Sequence, residues 1–241
     1  MVDQALRRVG FLYPGHAAED DYPWLGLALD PPVDPRVVHT GFLEDAHTVE
    51  ALSEMGSTRR LADGARALAG SGIESVLWTS TSASFVLGVD GVRRQIATLE
   101  QALQVPASTT AMAFIHAIEA LGAQRVAIAA TFPEVVAQRF RAFLEVFGIE
   151  VVAHTSLGIV TAAEVGTLEK DAVVQLAARH GQPDADVLLV PDTALHSVAW
   201  LEDMEAAADQ PVLTANQVSF WEALRLCGDL KPQSGLGRLF E

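Results

Sequence analysis

The feature that most constrains this chain is a repeated alternation of short apolar runs with longer stretches of helical periodicity. Apolar runs at residues 9–13, 36–41, 75–78, 105–108, 126–130, 150–154, 187–190 and 212–214 read as buried strands. Between them, 48–69, 84–102, 111–121, 133–147, 162–180, 197–208 and 217–226 carry the period of helices. Strands separated by helices must pair in parallel through crossover connections, which predicts an α/β fold. With 241 residues, half of them hydrophobic, the chain can bury a large core as one domain or two small lobes. The proline- and acid-rich stretch 15–35 fits neither period and is expected to be a long loop, a kind often functional in compact domains.

The chain also repeats itself. Arg8-Val9-Gly10-Phe11-Leu12-Tyr13 has the character of Arg125-Val126-Ala127-Ile128-Ala129-Ala130. Glu74-Ser75-Val76-Leu77-Trp78-Thr79-Ser80-Thr81 parallels Asp186-Val187-Leu188-Leu189-Val190-Pro191-Asp192-Thr193, and Val105-Pro106 parallels Gln210-Pro211. Three matches in one order predict two similar lobes. Parallel strands present ligands at their C-terminal ends, so the segments after Trp78 and Val190 should face each other across a cleft.

A net charge of −15 argues against nucleic acid as a partner, because phosphates demand a basic face. An anionic substrate would need local donors against that field. No run approaches the roughly 20 apolar residues of a membrane span. The N-terminus lacks the apolar core and small-residue cleavage site of a secretion leader, and the single cysteine, Cys227, permits no intramolecular disulfide. The expectation is a cytoplasmic protein.

The densest polar cluster is Thr79-Ser80-Thr81-Ser82-Ala83-Ser84, five hydroxyls in six positions between a strand and a helix. Hydroxyls and unpaired amides at a helix N-terminus suit an anion, and the excess over the single hydroxyl of a cap favours carboxylate binding. At the equivalent end of the other lobe stands Asp192, which as a bare sequence fact is a base, a ligand anchor or, most commonly, a cap. Thr131 ends another strand, where it either faces the cleft or caps the helix opened by Pro133.

Several further motifs resemble the aspartate/glutamate racemase superfamily, in its maleate isomerase and arylmalonate decarboxylase branch. Thr81-Ser82-Ala83-Ser84-Phe85 is similar to that family's carboxylate-binding Thr-Ser stretch. Ala120-Leu121-Gly122-Ala123-Gln124-Arg125-Val126-Ala127, Ser156-Leu157-Gly158-Ile159, Phe220-Trp221-Glu222-Ala223 and Gly235-Leu236-Gly237-Arg238-Leu239-Phe240 follow in the family's order. The resemblance covers most of the chain except 15–35. It implies two flavodoxin-like lobes related by a pseudo-twofold axis, each a parallel sheet flanked by helices, with the active site between them. Residues 1–112 would form the N-terminal lobe, 225–241 would pack back on it, and 113–224 would form the C-terminal lobe.

The family's isomerases and racemases use two cysteines, one per lobe, and its decarboxylase keeps only the second. Here those positions fall on Ser80 and Asp192. A thiol suits the chemistry because its pKa lies near working pH and its thiolate is strongly nucleophilic. A serine needs an adjacent base, and a carboxylate in that role needs burial to become a better one. The family's carboxylate-binding tyrosine becomes Phe132, which has no donor, and the Gly-Gly pair after the second cysteine becomes Thr193-Ala194, whose amides stay usable. With Pro14 at the end of the first strand, the expected substrate-binding set is Pro14, Thr81, Ser82, Thr131, Phe132, Thr193 and Ala194, and Ser80 and Asp192 are the expected catalytic pair.

The resemblance implies a small-molecule carboxylate as substrate, no cofactor, and a homo-oligomer. The seven histidines show no metal-ligand spacing, so no metal is expected. Cys227, at helical spacing, reads as a buried structural thiol. The stretch around His16, Glu19, Asp20, Asp21 and Tyr22 reads as a solvated acidic loop in preference to a lid. Gly235-Leu236-Gly237 lacks the strand-before, helix-after context of a dinucleotide fingerprint. The functional expectation is a cofactor-independent isomerase or decarboxylase with Asp192 carrying the proton. The alternative is a catalytically inactive or regulatory carboxylate-binding homologue, and relatives linked to ectoine utilisation form a third branch.

Overall fold

A computed structural model describes residues 6–228 and 230–241; part of the N-terminus inspected for a leader, residues 1–5, lies outside them. The described residues form eight strands: β1 (Arg7–Pro14), β2 (Val33–Thr40), β3 (Ser75–Trp78), β4 (Ala107–Thr109), β5 (Arg125–Ala130), β6 (Glu150–Ser156), β7 (Val187–Val190) and β8 (Val212–Thr214). They build two four-stranded, all-parallel sheets, ordered β2-β1-β3-β4 and β6-β5-β7-β8. The order is the same in both, and each of the three sequence repeats falls on corresponding strands: β1 with β5, β3 with β7, β4 with β8. Central strands are buried on both faces because helices cover both, which is why they read as continuous apolar runs.

The helices are α1 (Asp21–Ala28), α2 (Val49–Met55), α3 (Thr58–Leu68), α4 (Ser82–Phe85), α5 (Gly88–Leu103), α6 (Thr110–Ala120), α7 (Glu134–Val146), α8 (Ala162–Val165), α9 (Lys170–His180), α10 (Leu201–Ala208) and α11 (Ala215–Leu226). Three long helices expected from periodicity are each broken in two. The first breaks at Gly56, the second ahead of Gly88 at φ +65°, and the third after Gly166. The best-capped helix is α11, where Thr214 and Gln217 form a capping box. It lies against α6 and the first sheet.

The stretch 15–35 is not the loop expected. It contains α1, and β2 begins at Val33. It is only partly solvated: Tyr22 and Leu25 are fully buried and Asp21 is 6% exposed, while His16 and Asp20 are exposed. Tyr22 packs on Phe11 and Tyr13, with centroids 4.4 and 6.0 Å apart. Pro23 and Gly26 hid the helix from a propensity reading; Gly26 is required because a Cβ there would meet the Val33 carbonyl oxygen at 2.5 Å. Cys227 is half-buried, not buried, because it sits at the C-cap of α11, where its thiol reaches Ser75 Oγ at 3.4 Å. Among the described residues no helix is long and apolar enough to cross a membrane.

Candidate active site

In each sheet the strand order reverses between the first and third strands, and ligands of open α/β sheets bind outside the carboxyl ends at such switch points. Four sequence-predicted positions lie there: Pro14 ends β1, Ser80 follows β3, Thr131 follows β5 and Asp192 follows β7. The two switch points share one cavity of about 40 Å³, walled by Pro14, Ser80 and Ser82 from the first repeat and Asp192, Thr193 and Ala194 from the second. A larger cavity of about 160 Å³, between Arg7, Val33, Glu74 and Gln233, lies at the opposite, N-terminal end of the first sheet. That is the wrong end of parallel strands for a catalytic ligand.

The hydroxyl cluster is buried, and its members differ in role. Thr79 donates to Leu12 O at 2.6 Å and Ser84 to Ser80 O at 2.9 Å, so both serve the backbone. Ser80 Oγ accepts from Ala83 N at 3.3 Å, as a local cap, while still reaching the cavity. Ser82 also opens onto the cavity. Thr81 does not line it: its Oγ1 is buried without a hydrogen-bond partner, an arrangement that costs about 1–3 kcal/mol. The expected helix N-terminus is weaker than the sequence implied. Helix α4 is a single four-residue turn, too short to sum a large dipole, so hydroxyls are the main donors of this wall.

Asp192 is 7% exposed and held at both oxygens. Its Oδ1 accepts from Ala194 N at 2.9 Å, an Asx turn, and its Oδ2 takes a short hydrogen bond from Thr131 Oγ1. Asp192 thus closes a tight turn and caps no helix, since the next helical turn begins only at Val198, and the residue lines the cavity. Thr131 neither lines the cavity nor caps α7; its hydroxyl is spent on Asp192, because β5 and β7 are neighbours. Phe132 also stays behind the wall, fully buried against His47 and Phe85 at centroid distances of 6.0 Å each.

Three polar cavity residues, Tyr13, Asp45 and His47, are absent from the predicted site set. Tyr13 donates to Thr193 O at 2.8 Å and accepts from Ala18 N at 3.0 Å, joining the two repeats. Burial pushes its phenol well above the ordinary value, with the nearby Asp192 and Glu19 charges adding to the rise, so it stays a donor. His47 is 7% exposed, and its Nδ1 lies 3.0 Å from Ile159 O; a carbonyl accepts only, which places a proton on Nδ1. Asp45 accepts from Ala162 N at 2.9 Å and Ala163 N at 3.1 Å, and His47 N donates to Val160 O at 2.7 Å, strapping the loop between β2 and α2 onto the second repeat. Tyr13, Asp45 and His47 each have a partner more than a hundred residues away, and only the apolar strand around Tyr13 carried any local signal.

A fold of two like-ordered parallel sheets, with a buried acid and serine hydroxyls sharing a cavity at their switch points, defines a two-lobed α/β protein of the racemase-like class. Residues 36–240 match the family model described as arylmalonate decarboxylase, and the chain belongs to that family. The arylmalonate decarboxylase of Bordetella bronchiseptica is 30% identical over 182 residues, 74% of this chain and 76% of that one. A liganded double mutant of arylmalonate decarboxylase superposes with a TM-score of 0.85 at 26% identity, covering 98% of this chain and 99% of the other. The Nocardia farcinica maleate cis-trans isomerase, solved as a mutant with a covalently bound succinylcysteine intermediate, gives 0.85 at 22% identity over 98% of both chains.

Proposed function

We propose that this protein is a cofactor-independent enzyme acting on a small carboxylic or dicarboxylic acid, by decarboxylation or isomerisation, with Asp192 as the proton carrier. One observation carries the reading: Asp192, from the second repeat, shares a cavity with Ser80 and Ser82, from the first. Ser82 and Thr193 would hold the substrate carboxylate, the Ala194 amide being already engaged by Asp192, and the unpartnered Thr81 hydroxyl is a further donor once the wall relaxes.

The chemistry needed is modest. Loss of CO₂ from a malonate-type acid breaks one C–C bond and leaves its electron pair on the carbon beside the remaining carboxylate, as an enediolate. Protonated Asp192 would deliver a proton to that carbon, and water would restore the carboxyl. Tyr13 O–H, next to Thr193, is placed to keep the cavity polar without ionising. In its neutral form His47 would offer Nε2 as a second proton-accepting atom, contributed by the first repeat, which suits isomerisation by proton transfer. Covalent addition of the kind in the Nocardia isomerase is disfavoured here. Cys227 meets Ser75, at the start of β3, whereas the cavity lies beyond that strand's end.

The volume of about 40 Å³ admits little beyond a few waters, so a substrate enters by displacing the strap that carries Asp45 and His47. The test uses substituted malonates, maleate, aspartate and hydantoins in deuterated water, followed by NMR. Wild type should exchange or convert at least one of them, and Asp192→Ala should lose that turnover by about 10²–10⁴-fold, the usual worth of a general acid–base group. Unchanged turnover in Asp192→Ala refutes the mechanism.

A second reading is a carboxylate-binding homologue without turnover. It is favoured by the two donors already engaging Asp192, an arrangement that also serves a purely structural turn. Binding across the panel without exchange or conversion decides for it.

A further inference from the structure

A second chemical cluster stands at the lip of the cavity. Just after β1, Gly15 takes φ +67° and turns the chain, its N–H bonding Thr40 O at 3.3 Å across the end of the β1–β2 pair. The turn brings His16 and Glu19 over the end of β2, where His39 stands beside Tyr13 in the strand register. His16 Nδ1 lies 2.9 Å and His39 Nε2 3.3 Å from the same oxygen, Glu19 Oε1. The three candidate ligand atoms all fall within 4.8 Å of one another.

The arrangement is oriented from outside the trio. Glu19 Oε2 is held by Ala17 N at 2.8 Å, which aims Oε1 at the two rings. The rings face each other with centroids 3.9 Å apart and an interplanar angle of 36°. Such fixing of a carboxylate through its second oxygen is what supports a ligand in a metal site. Ligands bound at 2.0–2.1 Å in a tetrahedron stand about 3.3 Å apart, which is the His39–Glu19 separation, and the 2.9 Å between His16 and Glu19 would open slightly around an ion.

We propose that His16, Glu19 and His39 form a binding site for a divalent transition-metal ion of the zinc type. Two imidazoles and one carboxylate are a donor set that zinc accepts, and three protein ligands leave a position open. His16 belongs to the cavity wall, so the ion would lie at its mouth. The cavity has reason to want it. Its lining includes Asp45 and Asp192 but no lysine or arginine, in a chain of net charge −15, so an anionic substrate meets no fixed positive charge there. A dication at the mouth would add one from outside the proposed proton transfer, which itself uses no cofactor. The proposal departs from the expectation of no metal, which rests on spacing along the chain: His39 stands 20 residues beyond Glu19, and the β1–β2 pairing brings them together.

The test needs no turnover. Metal-stripped full-length protein is titrated with Zn²⁺ by calorimetry and with Co²⁺ by visible absorption. The expected result is one Zn²⁺ per chain at micromolar affinity or better, with intense Co²⁺ bands between about 500 and 650 nm that mark low coordination. His16→Ala and His39→Ala should each weaken binding at least tenfold, while His154→Ala, which alters the exposed His154–Glu134 pair elsewhere, should bind as wild type does. His16 and His39 are 72% and 39% exposed, so their truncation leaves the core intact, and circular dichroism of each variant verifies it. Absence of Zn²⁺ binding below millimolar concentration, or binding unchanged in both variants, overturns the proposal.

Discussion

Asp21 offers a stringent test of how the walls of the site are joined. Its carboxylate is buried at the start of α1, where Oδ2 accepts from Asn216 Nδ2 at 2.9 Å and from Ser197 N at 3.2 Å. Tyr22 O–H donates to the same Asn216 at 3.1 Å. Burial pushes the Asp21 carboxyl from 3.8 up to about 6, although Asn216, Ser197 and the neighbouring His196 pull it the other way. Below pH 3.8 the group is protonated in folded and unfolded chains alike, and no cost arises. Above about pH 6 it is ionised in both, and the folded chain carries the full desolvation cost. Stability contributed by this group is therefore present at acid pH and lost as pH rises between those values. At about 1.36 kcal/mol per pH unit, the full difference is about 3 kcal/mol. Asp21→Asn removes the titration and keeps an acceptor oxygen for Asn216 and Ser197. Its pH-dependent gain over wild type should be about 1 kcal/mol at pH 4.5 and about 3 kcal/mol at pH 7.5, on top of any constant offset. Urea unfolding of both proteins across pH 4.5–7.5 measures it. A difference that stays flat, or that shrinks as pH rises, refutes the reasoning.

Glu222 runs in the opposite sense. It is fully buried, yet Arg225 and His116 overcome the upward push of burial and hold it below the ordinary carboxylate range. Its contribution is present above that ordinary value and fades as pH falls through the lowered one, so Glu222→Gln should flatten the acid limb of the stability profile in urea titrations. Thr131→Val removes the hydroxyl donated to Asp192 and should cost about 1–3 kcal/mol along with most of any turnover, while Thr131→Ser restores both; denaturation and the NMR assay read the two effects separately. Gly56→Ala would set a Cβ 2.1 Å from the Ala83 carbonyl oxygen and 2.7 Å from Gln95 Nε2. The expected loss is about 1–3 kcal/mol, read as a fall of several degrees in Tm, and an unchanged Tm would show that α4 yields freely.

The sequence by itself determined the architecture. Each of the eight runs overlaps a strand, and the central strands are apolar throughout because they are buried on both faces, while the edge strands β2 and β6 are half-exposed. The repeat of arginine-led strands and proline-marked turns carried the doubled topology. Ser80, Ser82 and Asp192 were legible too, since polar residues directly after a buried strand can only stand at its open end. The family motifs agreed with this reading along most of the chain.

Tertiary structure alone decided which side chains meet. Whether Thr131 faces the cavity or stands behind Asp192 depends on β5 and β7 lying side by side. The helix in residues 21–28 exists because Tyr22 and Leu25 find a core contributed largely by later segments, which outweighs the local penalty of Pro23 and Gly26. Tyr13, Asp45 and His47 each have a hydrogen-bond partner more than a hundred residues away, and the β1–β2 pairing brings His39 to Glu19. Local pattern reports how a segment can bury itself; a site built from the ends of strands in two sheets depends on distances that no local pattern contains.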